Sequence, residues 1–322
     1  MSRFGGARAP MGDPSVDRVS RPFCAEVSAE YAEPLAATAS RVDHWLLLEY
    51  RGVWSPDALA ESALPHTVKD HLGRQLEAVP RSRLLFIRRP DRRRRPGLLC
   101  FFGSTRERDP SFFRLELDDH EQLLALDLAA ALRDGNGVGE PLEQPLLVVC
   151  THGKRDRCCA RYGRPLFDAL SEQAEDEWLW QSTHVGGDRF AGNVVCFPHG
   201  VYYGRVAPGD AWPLLDEHLA GRIYLDRFRG RCCYPFPVQA AEHSVRVDTG
   251  LTGLEDLELA GLERVRAGRW RVRFRARATG AMHVREVAEE QGELTYLTCS
   301  ADTLRHPRRF VAAGLRAVPR RE

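Results

Sequence analysis

Two stretches of this chain combine residue types that could hold a metal. The segment Cys150-Thr-His-Gly-Lys-Arg-Asp-Arg-Cys158-Cys159 follows the apolar run Pro145-Leu-Leu-Val-Val-Cys150, which predicts thiols presented at a strand end and in the loop before a helix. Further on, Ser182-Thr-His184-Val-Gly-Gly-Asp188-Arg-Phe-Ala-Gly-Asn193 places Gly186 and Gly187 between His184 and Asp188. Backbone can pass close to a bound group there, with the imidazole and the carboxylate reaching inward. Two soft thiolates, an imidazole and a carboxylate suit iron or zinc rather than calcium or magnesium.

The donor set leaves choices open. Cys158 and Cys159 are adjacent, so either could be the ligand and the other a bystander; a vicinal disulfide between them would demand a strained peptide. Cys196 lies in the apolar run Val194-Val-Cys-Phe197 and reads as core, yet it is the natural substitute should Asp188 not bind. Lys154, Arg155, Arg157 and Arg189 lie beside the ligands, where they could offset negative charge or keep the loops soluble. His152 and His199 read as supporting or turn residues, and Cys232 and Cys233 as core.

The chain that must position these residues has 322 of them, 43% hydrophobic, with a formal net charge of +1. That is enough for two or more domains with proper cores. Its basic residues are Arg apart from Lys69 and Lys154, a bias given no functional weight. The run Arg88-Arg-Pro-Asp-Arg-Arg-Arg-Arg-Pro96, set between Leu84-Leu-Phe-Ile87 and Gly97-Leu-Leu-Cys-Phe-Phe102, reads as a solvated hairpin turn rather than a nucleic-acid patch. The first twenty residues lack the apolar core of a signal peptide, and no later stretch reaches membrane-spanning length. The expectation is a cytoplasmic protein with no nucleic-acid or membrane partner. The nine cysteines do not suggest a disulfide framework in a chain of this size.

Residues 1–22 read as a disordered leader. Residues 23–134 then offer a strand at 43–49, a helix at 67–78, the hairpin pair and a helical run at 121–132, a compact α/β layout. The Gly-rich segment Asp134-Gly-Asn-Gly-Val-Gly-Glu-Pro141 predicts a boundary. A second unit over 142–222 runs strand 145–150, helix 164–175, strand 177–181, strands 193–197 and 201–206 about the turn Pro198-His-Gly200, and helix 211–219. The same order of elements appears twice, pointing to two related α/β domains in tandem. Residues 223–322 read as an accessory α+β extension, with a helix at 237–249 and an alternating strand at 269–276 that pairs with 283–289.

The combination of residues 150–156 with Cys159, then Thr-His-Val-Gly-Gly-Asp-Arg-Phe-Ala-Gly-Asn over 183–193, then Pro-His-Gly-Val-Tyr-Tyr-Gly-Arg-Val over 198–206, resembles the sucrase/ferredoxin-like family. The resemblance extends more loosely to Trp45–Glu49, Leu85–Pro90 and Cys233–His243. It implies two tandem thioredoxin-like domains, the first of them degenerate and the second of the [2Fe-2S] ferredoxin kind. The family's cluster ligands, a Cys-x8-Cys pair and a His-x3-His pair, fall on Cys150, Cys159, His184 and Asp188. Family spacing thus favours Cys159 over Cys158, and Asp188 departs from the pattern as a carboxylate in place of an imidazole.

The function implied is single-electron transfer with an unidentified redox partner protein, and nothing in the sequence makes a glycosidase acid and base pair. Two ferric irons, two sulfides and two thiolates cancel formally, so a carboxylate ligand leaves the oxidised site about −1 and lowers its potential. The ring nitrogen of His184 not bound to metal could make electron transfer pH-dependent. Two other functions use the same residues. One is a structural zinc module; the other is a cluster-free thiol oxidoreductase at Cys158 or Cys159, activated by a helix start and Arg155 or Arg157 but lacking any Cys-x-x-Cys. No dinucleotide or phosphate-loop fingerprint is present.

Overall fold

A computed structural model of the chain describes residues 22–314 apart from 90–95, 136 and 176. The leader expected over residues 1–22 and the Arg-rich turn therefore lie almost wholly outside the described residues. The architecture starts from two strands with apolar centres. β1 (His44–Glu49) and β6 (Leu146–Cys150) are buried at every position, as strands covered on both faces must be. Each is followed by a helix and a parallel neighbour. From β1 the chain passes through α2 (His66–Glu77) to β2 (Ser82–Arg88), and from β6 through α4 (Arg157–Ser171) to β7 (Leu179–Ser182).

Two antiparallel strands then complete each half. β3 (Leu98–Ser104) pairs with β1 and β4 (Ser111–Leu117) with β3, and β8 (Val194–Phe197) pairs with β6 and β9 (Val201–Tyr203) with β8. α3 (Leu128–Asp134) and α5 (Ala211–Leu219) follow in turn. β2 and β7 pair antiparallel at the junction, so one mixed ten-stranded sheet runs β10-β9-β8-β6-β7-β2-β1-β3-β4-β5, ending in β5 (Glu140–Pro141) and β10 (Phe228–Arg231).

The sheet is curled. Phe112 on β4 and Phe197 on β8 stand six strand positions apart, about 29 Å in a flat sheet, yet their rings are 4.7 Å apart. Trp45 likewise meets Phe197 at 5.2 Å. The concave face closes on a shared core that includes Trp45, Ile87, Phe101, Val148, Trp180 and Tyr202. The helices pack on the convex face, over one apolar cluster in each half. Beyond the sheet, α1 (Cys24–Glu30) precedes β1, and α6 (Phe236–Thr249) packs on a four-stranded antiparallel meander. That meander consists of β11 (Leu257–Arg266), β12 (Arg269–Ala276), β13 (Met282–Gln291) and β14 (Arg308–Gly314). No described helix is long and apolar enough to cross a membrane.

Three expectations change. The apolar runs on either side of the Arg-rich segment are not a hairpin: β1 lies between β2 and β3 and bonds to both. Buried at every position, β1 takes the place between them. The helical run at 121–132 is two pieces, a short 3₁₀ turn over His120–Ala125 and α3, because Asp119 and Asp127 each cap a separate start and Leu126 between them is extended. The third is α4, which begins at Arg157 rather than Arg164. Asp156 accepts the Cys158 N–H as its N-cap, and Pro165 is accommodated inside the helix. Cys158 and Cys159 therefore stand in the first helical turn and not in a preceding loop.

Candidate metal centre

The site sits where the C-terminal end of β6, the first turn of α4 and the loop after β7 converge. Burial at 159, 163, 166, 167 and 170 gives α4 an inner face of helical period. Gly163 lets that face approach closely, since a Cβ there would overlap the Cys150 carbonyl oxygen. The first turn of α4 is thereby brought to the end of β6. The Cys150 and Cys159 sulfurs and a His184 ring nitrogen lie within 4.8 Å of one another. Asp188 stands beside them, with Oδ1 3.0 Å from His184 Nδ1 and 3.5 Å from Cys159 Sγ; Cys159 Sγ is 3.7 Å from His184 Nδ1.

The loop bearing His184 and Asp188 is fixed carbonyl by carbonyl. Arg83 Nη1, Ser40 Oγ and Tyr202 OH all donate to the Val185 oxygen, at 2.8, 3.2 and 3.2 Å. Arg229 Nη1 donates to the Gly186 oxygen at 3.1 Å, and Asn193 Nδ2 to the Gly187 oxygen at 2.9 Å. Gly187 has φ +82°, and a side chain there would run into the Arg229 guanidinium. Outer partners of this kind hold ligands in orientation. Sequence reasoning missed Arg83 and Arg229; they lie far along the chain from the motifs, on β2 and β10, and only the folded sheet brings them to the loop after β7.

Burial and charge act against one another here. A hydrogen bond from Cys159 and the nearby His184 ring hold Cys150 well below the ordinary thiol range despite its burial, while the same bond and burial push Cys159 up. Burial alone would lower His184, but the bond to Cys150 and the negative charge around it leave its pKa raised. Burial raises Asp188, with His184 pulling it partly back. Cys150 and Cys159 are buried, and the His184 side chain is 18% exposed, against 7% for Asp188. His184 opens onto a cleft of about 340 Å³ lined also by Arg83, His152, Arg155, Asp57 and Thr183.

The other residues singled out in sequence are placed elsewhere. Cys196 faces the convex-side core with Leu147 and Val149, away from Cys150. Cys158 turns from Cys159 towards Cys24 and Cys299. Arg189 pairs with Glu33 at 2.9 Å, Arg157 lies over the Phe23 ring, and Lys154 lines a separate surface groove; of the four cations only Arg155 lines the cleft.

The sequence model of the sucrase/ferredoxin-like family matches residues 35–230, more than half of the chain. The chain belongs to that family. Among curated relatives of this sucrase/ferredoxin-like chain is altered inheritance of mitochondria protein 32 of Meyerozyma guilliermondii, 38% identical over 101 residues, covering 28% of this chain and 36% of the relative. The protein of that name from Debaryomyces hansenii is 31% identical over 101 residues, covering 28% and 37%. The match thus spans little more than a third of either relative. Among solved structures, the wild-type thioredoxin-like [2Fe-2S] ferredoxin from Aquifex aeolicus is 24% identical, covering 28% of this chain and 100% of that one at a TM-score of 0.25.

Proposed function

We propose that this sucrase/ferredoxin-like protein is a single-electron carrier, with a [2Fe-2S] cluster held by Cys150, Cys159 and His184 and with Asp188 as fourth ligand. The observation that carries the reading is the convergence of two thiols and an imidazole within 4.8 Å, beside a buried carboxylate. Three of the four donors are the thiolate and imidazole that such clusters take, and the Asp188 carboxylate departs from them. When bound, the cluster would supply a one-electron couple. The protein's own part is to hold the donors rigidly, through the Val185, Gly186 and Gly187 carbonyls, and to keep bulk water from the two buried sulfurs. His184, the most exposed of the four, is the contact through which an electron would pass to a redox partner seated over the Arg83 and Arg155 cleft. On this reading each half of the sheet is a thioredoxin-like unit, at 23–134 and 142–222, of which the second holds the metal and the first buttresses it through β2 and Arg83.

One observation favours a second reading. The same three donors lie within reach of a single ion, which zinc would satisfy with Asp188 completing a tetrahedron. A thiol oxidoreductase has less support, since Cys158 and Cys159 are both 0% exposed and a substrate disulfide could not reach them. The visible spectrum of anaerobically purified protein, with iron, sulfide and zinc assayed on one sample, separates these readings. Matched iron and sulfide with colour lost in Cys150→Ser and His184→Ala supports the carrier. A colourless chain with zinc that Cys150→Ser removes would replace it with the structural site.

A further inference from the structure

A second group of donors stands on the other side of the first turn of α4. Cys24 opens α1, Cys158 belongs to α4, and Cys299 comes from the segment between β13 and β14. Their sulfurs form a nearly equilateral triangle: 3.5 Å from Cys24 to Cys158, 3.3 Å from Cys158 to Cys299 and 3.6 Å from Cys299 to Cys24. A carboxylate oxygen of Asp156 joins them, all four donor atoms lying within 4.8 Å of one another. Cys24, Asp156 and Cys158 are buried, at 2%, 3% and 0% exposure, and Cys299 is partly so.

We propose that Cys24, Cys158, Cys299 and Asp156 form a closed structural zinc site that fastens α1, α4 and the segment between β13 and β14 to one another. A disulfide joins two sulfurs at about 2.05 Å and would leave the third cysteine idle, whereas the triangle treats all three alike. Zinc bound tetrahedrally at about 2.3 Å spaces its sulfurs about 3.8 Å apart, so the trio need open by only a few tenths of an ångström. Asp156 is already oriented for the fourth position: Oδ1 accepts the Cys158 N–H at 2.8 Å and Oδ2 the Cys299 N–H at 2.7 Å. A carboxylate has about four acceptor sites, so both bonds leave lone pairs for a metal. Four protein donors and a buried setting are the marks of a structural rather than a catalytic zinc site.

The consequence reaches the first centre. Cys158 and Cys159 are consecutive, so an ion on Cys158 fixes the helical turn that presents Cys159. It also ties together segments 134 and 275 residues apart in sequence. The proposal does not depend on the cluster. Full-length protein is incubated with zinc chloride under reductant, passed into metal-free buffer and assayed for zinc, with circular dichroism to check folding. One equivalent is expected to remain in Cys150→Ser, which lacks one of the two thiols of the first centre. Cys150→Ser/Cys24→Ser and Cys150→Ser/Cys299→Ser should hold zinc at least about ten-fold more weakly; Cys299 is partly exposed, so its loss should leave the fold in place. Zinc absent from folded Cys150→Ser, or retained undiminished by the Cys299 variant, would overturn the proposal.

Discussion

At the level of single residues, the first centre is set apart by a carboxylate, Asp188, where the sequence resemblance implies an imidazole. Asp188 is buried, 3.0 Å from His184, and carries its charge into a site with two thiols. Asp188→His should therefore retain the colour and raise the midpoint potential, because one negative charge is removed from beside the metal. Protein-film voltammetry of the two proteins checks the sign; a lowered potential would take Asp188 out of the ligand set. Cys150, Cys159, His184 and Asp188 were legible because they sit in two short motifs with glycines between. Cys24 and Cys299 were not, since each is a solitary cysteine in its own stretch of sequence. Nor were Arg83 and Arg229, whose roles exist only after β2 and β10 are folded against the loop after β7.

At the level of elements, the decisive contact is α4 against the end of β6. Gly163 has no room for a Cβ because the Cys150 carbonyl oxygen occupies that space. Gly163→Ala should cost roughly 1–3 kcal/mol, the usual penalty for overpacking, and should weaken metal retention by pulling Cys159 away from Cys150. Urea unfolding together with metal content reads both effects; a variant with unchanged stability and full metal would refute this account of the helix. The periodicity of most elements was plain in the sequence: β12 spans the expected 269–276, and α2 and α5 fall within a residue or so of their expected limits. The start of α4 was hidden by Pro165, which reads as a helix beginning, while the Asp156 cap lies within a run of polar residues. Strand order was hidden for a different reason: two apolar runs flanking a turn look alike whether they pair with each other or with a third strand.

For the whole molecule, the interior encloses polar and charged groups as well as the apolar core. Arg231 on β10 and Arg246 on α6 share the Glu242 carboxylate at 3.0 and 2.9 Å, in the interior between the large sheet and the C-terminal layer. His44, His152, His199, His218, His243 and His283 all have lowered pKa values, with burial the leading cause in each. His218 falls from 6.5 to about 4. A depressed histidine favours folding while neutral, so its contribution is present above pH 6.5 and is lost as pH falls through 4. For His218 that amounts to roughly 3 kcal/mol. Chemical denaturation from pH 7 to 4 should show stability falling throughout, with a shallower fall in His218→Phe; a flat profile would contradict the buried, neutral assignment.

On the function proposed, Cys150, Cys159, His184 and Asp188 hold a one-electron centre. Anaerobic coulometric reduction, followed by low-temperature electron paramagnetic resonance on the same sample, tests it most directly. Uptake of one electron per two irons is expected, with a signal from a reduced two-iron centre, both abolished in Cys150→Ser. A chain that holds metal yet takes up no electron across the accessible potential range would contradict it.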